Sequence, residues 1–192
     1  MKLNDPIITE IEFDDRVYPI DLSFNKVLDV FDVINDDLLM DFEKASICLE
    51  ILLGDVALSV SETIDLWVYI KKNFIDAPSK EEQLFDIDGN PMPSPKKSTE
   101  SKKLIDFVKD AEFIFASFLQ AYGINLLKSQ NKLTWAEFRA LLNALPEDTI
   151  MQRIIEIRDW TPQPGESTKY REQMRKAQQK YRLDEGEEEE DG

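Results

Sequence analysis

The chain has 192 residues, with 39 acidic against 23 basic side chains for a formal net charge of −16, one cysteine and no histidine. Without histidine there is no Ser-His-Asp or Cys-His nucleophile system, and one cysteine supplies neither a structural zinc site nor an internal disulfide. The length implies one domain, or one domain with appendages, and the negative balance argues against non-specific binding to nucleic acid or anionic membrane.

The N-terminus, MKLNDPIITEIEFDD, carries acids where a signal peptide would have a basic start and an apolar stretch. No window holds about 18 consecutive apolar residues, so no spanning helix is expected. These features predict a soluble, intracellular protein. Residues 1–22 then read as a small β-hairpin. Ile7, Thr9, Ile11 and Phe13 alternate onto one face, Asp14-Asp15-Arg16 can turn, and Pro19 suits a strand end. Such a pair needs packing against another element to be stable.

From Ser23 the period becomes helical. Phe24, Val27, Leu28, Phe31 and Ile34 share a face, with Ser23 as N-cap. A second helix is predicted from about Leu38 to Leu53, with Phe42, Ala45, Leu49 and Leu52 in register, closed by Gly54. A third begins at Ser59, which forms a capping box with Glu62, and carries Ile64, Trp67, Ile70 and Phe74. Residues 77–100 hold four of the nine prolines and read as a long mobile loop. A fourth helix is expected from about Ser101 to Tyr122, with Leu104, Phe107, Val108, Ala111, Ile114, Phe115, Phe118 and Leu119 in its stripe and Gly123 at its end. A fifth starts at Thr134, boxed by Glu137, with Trp135, Phe138, Leu141, Leu142 and Leu145 inward. Pro146 stops it. The sixth runs from about Glu147 to Trp160 with Met151, Ile154, Ile155 and Ile157. After a Thr-Pro-Gln-Pro-Gly break, a polar helix spans about Ser167 to Arg182, and the acidic tail 184–192 is expected to be disordered.

Charge is distributed unevenly over these elements. Residues 1–48 carry 12 acids and 4 bases, 101–160 carry 8 of each, 161–183 carry 2 acids and 6 bases, and 184–192 carry 7 acids and no base. The chain thus has an acidic front, a neutral apolar third quarter, a basic segment and an acidic end.

Few motifs survive a spacing test. Asp86, Asp88 and Asn90 alternate like calcium ligands, but Gly89 is fourth where an EF-hand loop needs glycine sixth, so turn chemistry explains them. The acid pairs Asp14/Asp15, Asp36/Asp37 and Glu81/Glu82 have nothing around them that would separate two pKa values for acid–base work. Cys48 in ASICLEILL reads as a small core residue, and no glycine-rich phosphate loop exists. The basic segment is more informative. Tyr170, Met174, Ala177 and Tyr181 recur at 4, 3, 4 as a narrow seam, flanked by bases that include Arg171 and Arg175. Three readings stand: a partner-docking helix, a nucleic-acid contact, or a solvated terminal helix balanced by the acidic tail or front half.

Two adjacent blocks, DAEFIFASFLQAYGINL (Asp110–Leu126) and KLTWAEFRALLNALPEDTIMQRIIEIRDW (Lys132–Trp160), are the most distinctive stretch. Their sharpest motifs are Ala121-Tyr122-Gly123-Ile124, Trp135-x-x-Phe138, and Leu145-Pro146-Glu147-Asp148-Thr149 followed by Ile157-Arg158. With the short β start and SFNKVLDVFDVINDD before them, they resemble the bacteriophage gene-product-fifteen family, the tail assembly chaperones of long-tailed phages and prophages of Gram-positive bacteria. The resemblance covers most of residues 5–160. It implies a non-enzymatic protein of the host cytoplasm that coats the tape-measure protein, keeps it soluble, helps recruit tail-tube protein and is absent from the finished virion. No cofactor is expected, and the charge balance and the lack of a long apolar window lead to an expectation of no nucleic acid and no membrane; self-association is open. The competing class is an acidic DNA mimic that binds a host DNA-processing protein.

The expected architecture is mostly α, a bundle of about six helices over residues 1–160 with the 1–22 hairpin, followed by a polar basic helix in 161–183 and the tail 184–192. The expected partner-binding residues are Tyr170, Met174, Ala177, Tyr181, Arg171 and Arg175.

Overall fold

The computed structural model describes residues 4, 6–76 and 103–183. The predicted 77–100 loop and the 184–192 tail lie outside the described residues. The order is β1 (Glu10–Phe13), β2 (Arg16–Pro19), α1 (Phe24–Ile34), α2 (Asp41–Leu53), α3 (Val60–Ile70), α4 (Ala111–Tyr122), α5 (Trp135–Asn143), α6 (Ile150–Asp159) and α7 (Thr168–Lys180). The fold is mostly α with one antiparallel hairpin, as the sequence pattern predicts. It divides into two compact units, Met1–Lys96 with Leu127–Ala140, and Lys97–Leu126 with Leu141–Gly192. The basic helix α7 belongs to the same unit as α4 and α6.

In the first unit, Glu10 pairs with Pro19 and Phe13 with Arg16, leaving a two-residue turn. Asp14 (φ 48°) and Asp15 (φ 59°) both take the left-handed conformation that this turn requires. The strand is shorter than the alternation suggests, and Ile7 is exposed, while Ile11 and Tyr18 are buried opposite each other. The support that an isolated hairpin lacks comes from α3. Phe13 lies 5.2 Å from Tyr69 between ring centroids, and Arg16 Nη1 donates to Glu62 Oε1 at 3.1 Å.

The core of this unit is aromatic. Phe24 stacks on Phe138 at 5.1 Å, Phe138 on Trp135 at 5.7 Å, and Phe31 meets the Trp135 edge at 5.4 Å. Two backbone bonds fix that meeting, Phe24 N to Leu133 O (2.9 Å) and Trp135 N to Leu22 O (2.8 Å). Aromatic pairs in such offset or edge geometry add about 0.5–1.5 kcal/mol beyond the area they bury. The Trp135-x-x-Phe138 motif therefore belongs to the packing of this unit.

The predicted capping boxes form. Ser59 N donates to Glu62 Oε2 (2.8 Å) and Thr134 N to Glu137 Oε2 (2.8 Å), and each glutamate's own N–H returns to the hydroxyl. Gly123 closes α4 in the αL conformation (φ 66°), its N–H bonded to Leu119 O and that of Ile124 to Phe118 O.

Several expectations change. The second helix starts at Asp41 instead of about Leu38, and Leu38 and Phe42 are exposed while Ala45, Leu49 and Leu52 are buried. The predicted fourth helix starts ten residues later, at Ala111. The Asp106 carboxylate captures the N–H groups of Val108 and Lys109 (2.9 Å each), so the backbone turns there instead of coiling, and Val108 is exposed. The predicted sixth helix starts at Ile150, because Thr149 folds back onto Pro146 O and serves as N-cap. On α3, Ile64 is not inward: Thr63, Leu66, Trp67 and Ile70 are buried, and Ile64 is exposed.

Candidate functional site

The second unit is organised by α6, whose inner face carries Met151, Ile154 and Arg158. Met151 N donates to Ser117 Oγ (3.1 Å), which fixes α6 against α4 beside the fully buried Phe118 and Ile154. The third inward residue of α6 is a cation. Arg158 is 6% exposed and its partner Asp110 is 1% exposed. Arg158 Nη1 donates to Asp110 Oδ2 at 2.6 Å and Nη2 to Oδ1 at 2.8 Å, a bidentate fork. The same guanidinium donates from Nη1 to Leu104 O (2.8 Å) and from Nε to Tyr181 O (2.7 Å). One side chain thus ties together the α4 entrance, the residues before it and the end of α7. Asp110 also accepts from Asp106 N at 2.9 Å.

Helix α7 starts at Ser167, whose hydroxyl accepts from Tyr170 N at 3.2 Å. Its six predicted partner-binding residues have distinct surroundings. Tyr181 meets the edge of Phe113 at 6.1 Å, and Tyr170 meets Trp160 at 6.3 Å while remaining 44% exposed. Met174 and Ala177 are half-buried between them. Gln178 adds bonds to Trp160 O (2.8 Å) and Arg158 O (3.4 Å). The seam therefore packs on its own unit along one edge. Arg171 donates to Gln163 O (2.8 Å) and lies 3.7 Å from Glu166. Arg175 is exposed and points into a groove.

That groove has a volume of about 560 Å³ and is lined by Lys103, Arg158, Arg175, Gln178, Gln179 and Arg182, with Leu183 at its end. Among the described residues, two of its four cations have acids. Arg158 has Asp110, and Lys103 Nζ donates to Asp106 Oδ2 at 2.7 Å. The Lys103 ammonium and the N–H groups of Lys109 and Val108 hold the Asp106 carboxyl down at about 2 against some desolvation. The exit of the chain is also held: Lys109 Nζ donates to Leu183 O.

Pattern reading missed Asp110 and Arg158 as a pair. The available signal was a charged residue at the 3- and 4-residue spacing of Met151 and Ile154, where an apolar one was due. The tyrosine of Ala121-Tyr122-Gly123-Ile124 reaches Leu141 O with its hydroxyl (2.9 Å).

A second surface lies on the first unit. Helix α3 has two apolar faces. One is the buried set already named; the other is Val60 (62% exposed), Ile64 (43%) and Val68 (57%), spaced by four. The two faces are roughly 110° apart at 3.6 residues per turn. Around the start of α2, Leu38 (92% exposed), Met40 and Phe42 also face outward, interspersed with acids at Asp36, Asp37, Asp41 and Glu43. Among the described residues no cluster of three metal-ligating side chains occurs, and no helix is long and apolar enough to cross a membrane.

A family model described as bacteriophage Gp15 protein matches residues 3–183. No curated protein and no solved structure matches the chain.

Proposed function

The chain belongs to the bacteriophage Gp15 protein family, and from that premise we propose that it is a non-enzymatic tail assembly chaperone. It binds the tape-measure protein in the host cytoplasm, keeps it soluble and helps recruit tail-tube protein, and it leaves before the virion is complete. The observation that carries the reading is the unburied apolar stripe Val60, Ile64 and Val68 on α3. A helix needs one apolar face to join a fold; a second, outward one is the surface by which an amphipathic client helix is held. The acids around Leu38, Met40 and Phe42 favour a client segment with basic flanks, and the net charge of −16 keeps a loaded complex dispersed. Neither feature requires a reacting group, which fits a chain without histidine.

The test is co-expression with the tape-measure protein of the same phage. The wild-type chain is expected to hold the client in the soluble fraction and co-purify with it. Val60→Glu/Ile64→Glu/Val68→Glu alters only exposed positions and should abolish both. Undiminished recovery of soluble client with a folded triple variant would refute this surface as the site. No recovery with the wild-type chain would refute the function.

A further inference from the structure

Helix α7 is attached differently from the two helices it lies on. α4 buries Ile114, Ser117 and Phe118, and α6 buries Met151, Ile154 and Arg158, whereas α7 buries no residue. Its seam is half-buried at Met174, Ala177 and Tyr181. Hydrogen bonds to main-chain oxygens tie it down: Gln178 Nε2 on Trp160 O, Arg171 Nη2 on Gln163 O, Arg158 Nε on Tyr181 O, and Lys109 Nζ on Leu183 O just beyond its end. Water replaces such partners at small net cost. The connection from α6 cannot be helical, because Pro162 and Pro164 lack an N–H and Gly165 turns at a φ of 95°. Glu166 closes that turn, accepting from Gln163 N (3.0 Å) and Trp160 Nε1 (3.1 Å). The pair beneath is also built to outlast α7. The two bonds from Arg158 to Asp110 and the one to Leu104 O do not involve α7, so its departure leaves the buried charge compensated.

We propose that α7 is an autoinhibitory cover: it opens as one piece about residues 161–167 and uncovers, on α4 and α6, a seat for a partner's amphipathic helix. α7 itself shows which helix fits. Its seam has an aromatic residue at each end, spaced 4, 3, 4 through Met174 and the small Ala177. Phe113 receives the ring of Tyr181 at 6.1 Å, Trp160 receives that of Tyr170 at 6.3 Å, and Arg158 Nε donates to the carbonyl that ends the helix. A partner with this pattern competes with a resident helix, so its apparent affinity is the intrinsic one scaled by the open fraction. Any change that loosens α7 therefore tightens the partner. The narrow seam on α7 is thus satisfied by its own unit at rest, and the same contacts define what displaces it. This inference is independent of the chaperone reading, since it concerns the other unit and does not use the α3 stripe.

The test uses the full-length protein and, as probe, a fluorescent synthetic peptide of residues 167–183. In native-state hydrogen exchange, α7 amides are expected to exchange at least about tenfold faster than those of α4 and α6, through an opening with weaker urea dependence. Met174→Ser/Tyr181→Ala changes α7 alone and should tighten peptide binding by about tenfold or more. Adding Phe113→Ala should remove that binding while exchange in α4 and α6 stays as it was. A scrambled peptide of the same composition should not bind, which separates the seat from plain attraction to a chain of net charge −16. Exchange of α7 only together with α4 and α6 would overturn the proposal. So would equal peptide affinity in wild type and the loosened variant, or equal binding of the scrambled peptide. If the double variant fails to fold, Tyr170→Ala, at a position 44% exposed, loosens α7 more mildly and gives the same comparison.

Discussion

Arg158→Met is the sharpest perturbation of this fold. Methionine fills much of the side chain's volume and keeps helix propensity, so the change isolates the guanidinium. Four hydrogen bonds are lost: two to Asp110, one to Leu104 O and one to Tyr181 O. The Asp110 carboxylate, 1% exposed, is left with one backbone N–H and no counter-charge. Removing one partner of a buried pair costs about 3–5 kcal/mol, most of it the penalty of stranding the other charge. Asp110→Asn should cost a similar amount for the mirror reason. The double change Asp110→Leu/Arg158→Met should cost clearly less than the two single changes together, because neither charge remains. Urea unfolding measures these values, and the two units make a single two-state fit unsafe. Hydrogen exchange of α4, α6 and α7 is therefore read beside it. Arg158→Met should raise exchange in α7 most, because the Tyr181 carbonyl is released. If either single variant costs less than about 1 kcal/mol, or if the double variant is additive, the pair is not what holds this unit together.

Two further predictions follow from local chemistry. The Asp106 carboxyl is held at about 2, below its ordinary 3.8, so its contribution to stability is fully present above pH 4 and is lost as pH falls from 4 through 2. Asp106→Asn should flatten the acid-side slope of unfolding free energy across that window; an unchanged slope would exclude Asp106 as its source. Burial pushes the Cys48 thiol up to about 11, so at pH 8 roughly a thousandth is thiolate. Alkylation of the native chain should be at least 100-fold slower than in urea, and comparable rates would show that α2 opens freely.

Local rules in the sequence were sufficient for most elements. The Ser59/Glu62 and Thr134/Glu137 boxes, the αL glycine at 123 and the helical spacing in α1, α5 and α7 depend on neighbours within a few residues, and pattern reading found them. The start of α4 was misplaced because apolar spacing continues through Leu104 and Phe107, while the Asp106 side chain competes for the backbone N–H groups that a helix would need. That competition is local, yet it is hidden from hydrophobic periodicity.

The candidate surfaces were less legible. Val60, Ile64, Leu66, Trp67 and Val68 form one broad apolar band in sequence, and only packing decides which part faces the core. The seam of Tyr170, Met174, Ala177 and Tyr181 was legible as a stripe, but its neighbours Phe113 and Trp160 come from elsewhere in the chain. The net charge and the missing histidine were fixed by composition alone, and they bound the chemistry before any fold is known. The pairing of Asp110 with Arg158 across 48 residues was decided by tertiary structure. A buried charge is tolerated only where the fold delivers its counter-charge and acceptors together. That delivery is a property of three dimensions, which spacing along the chain does not encode.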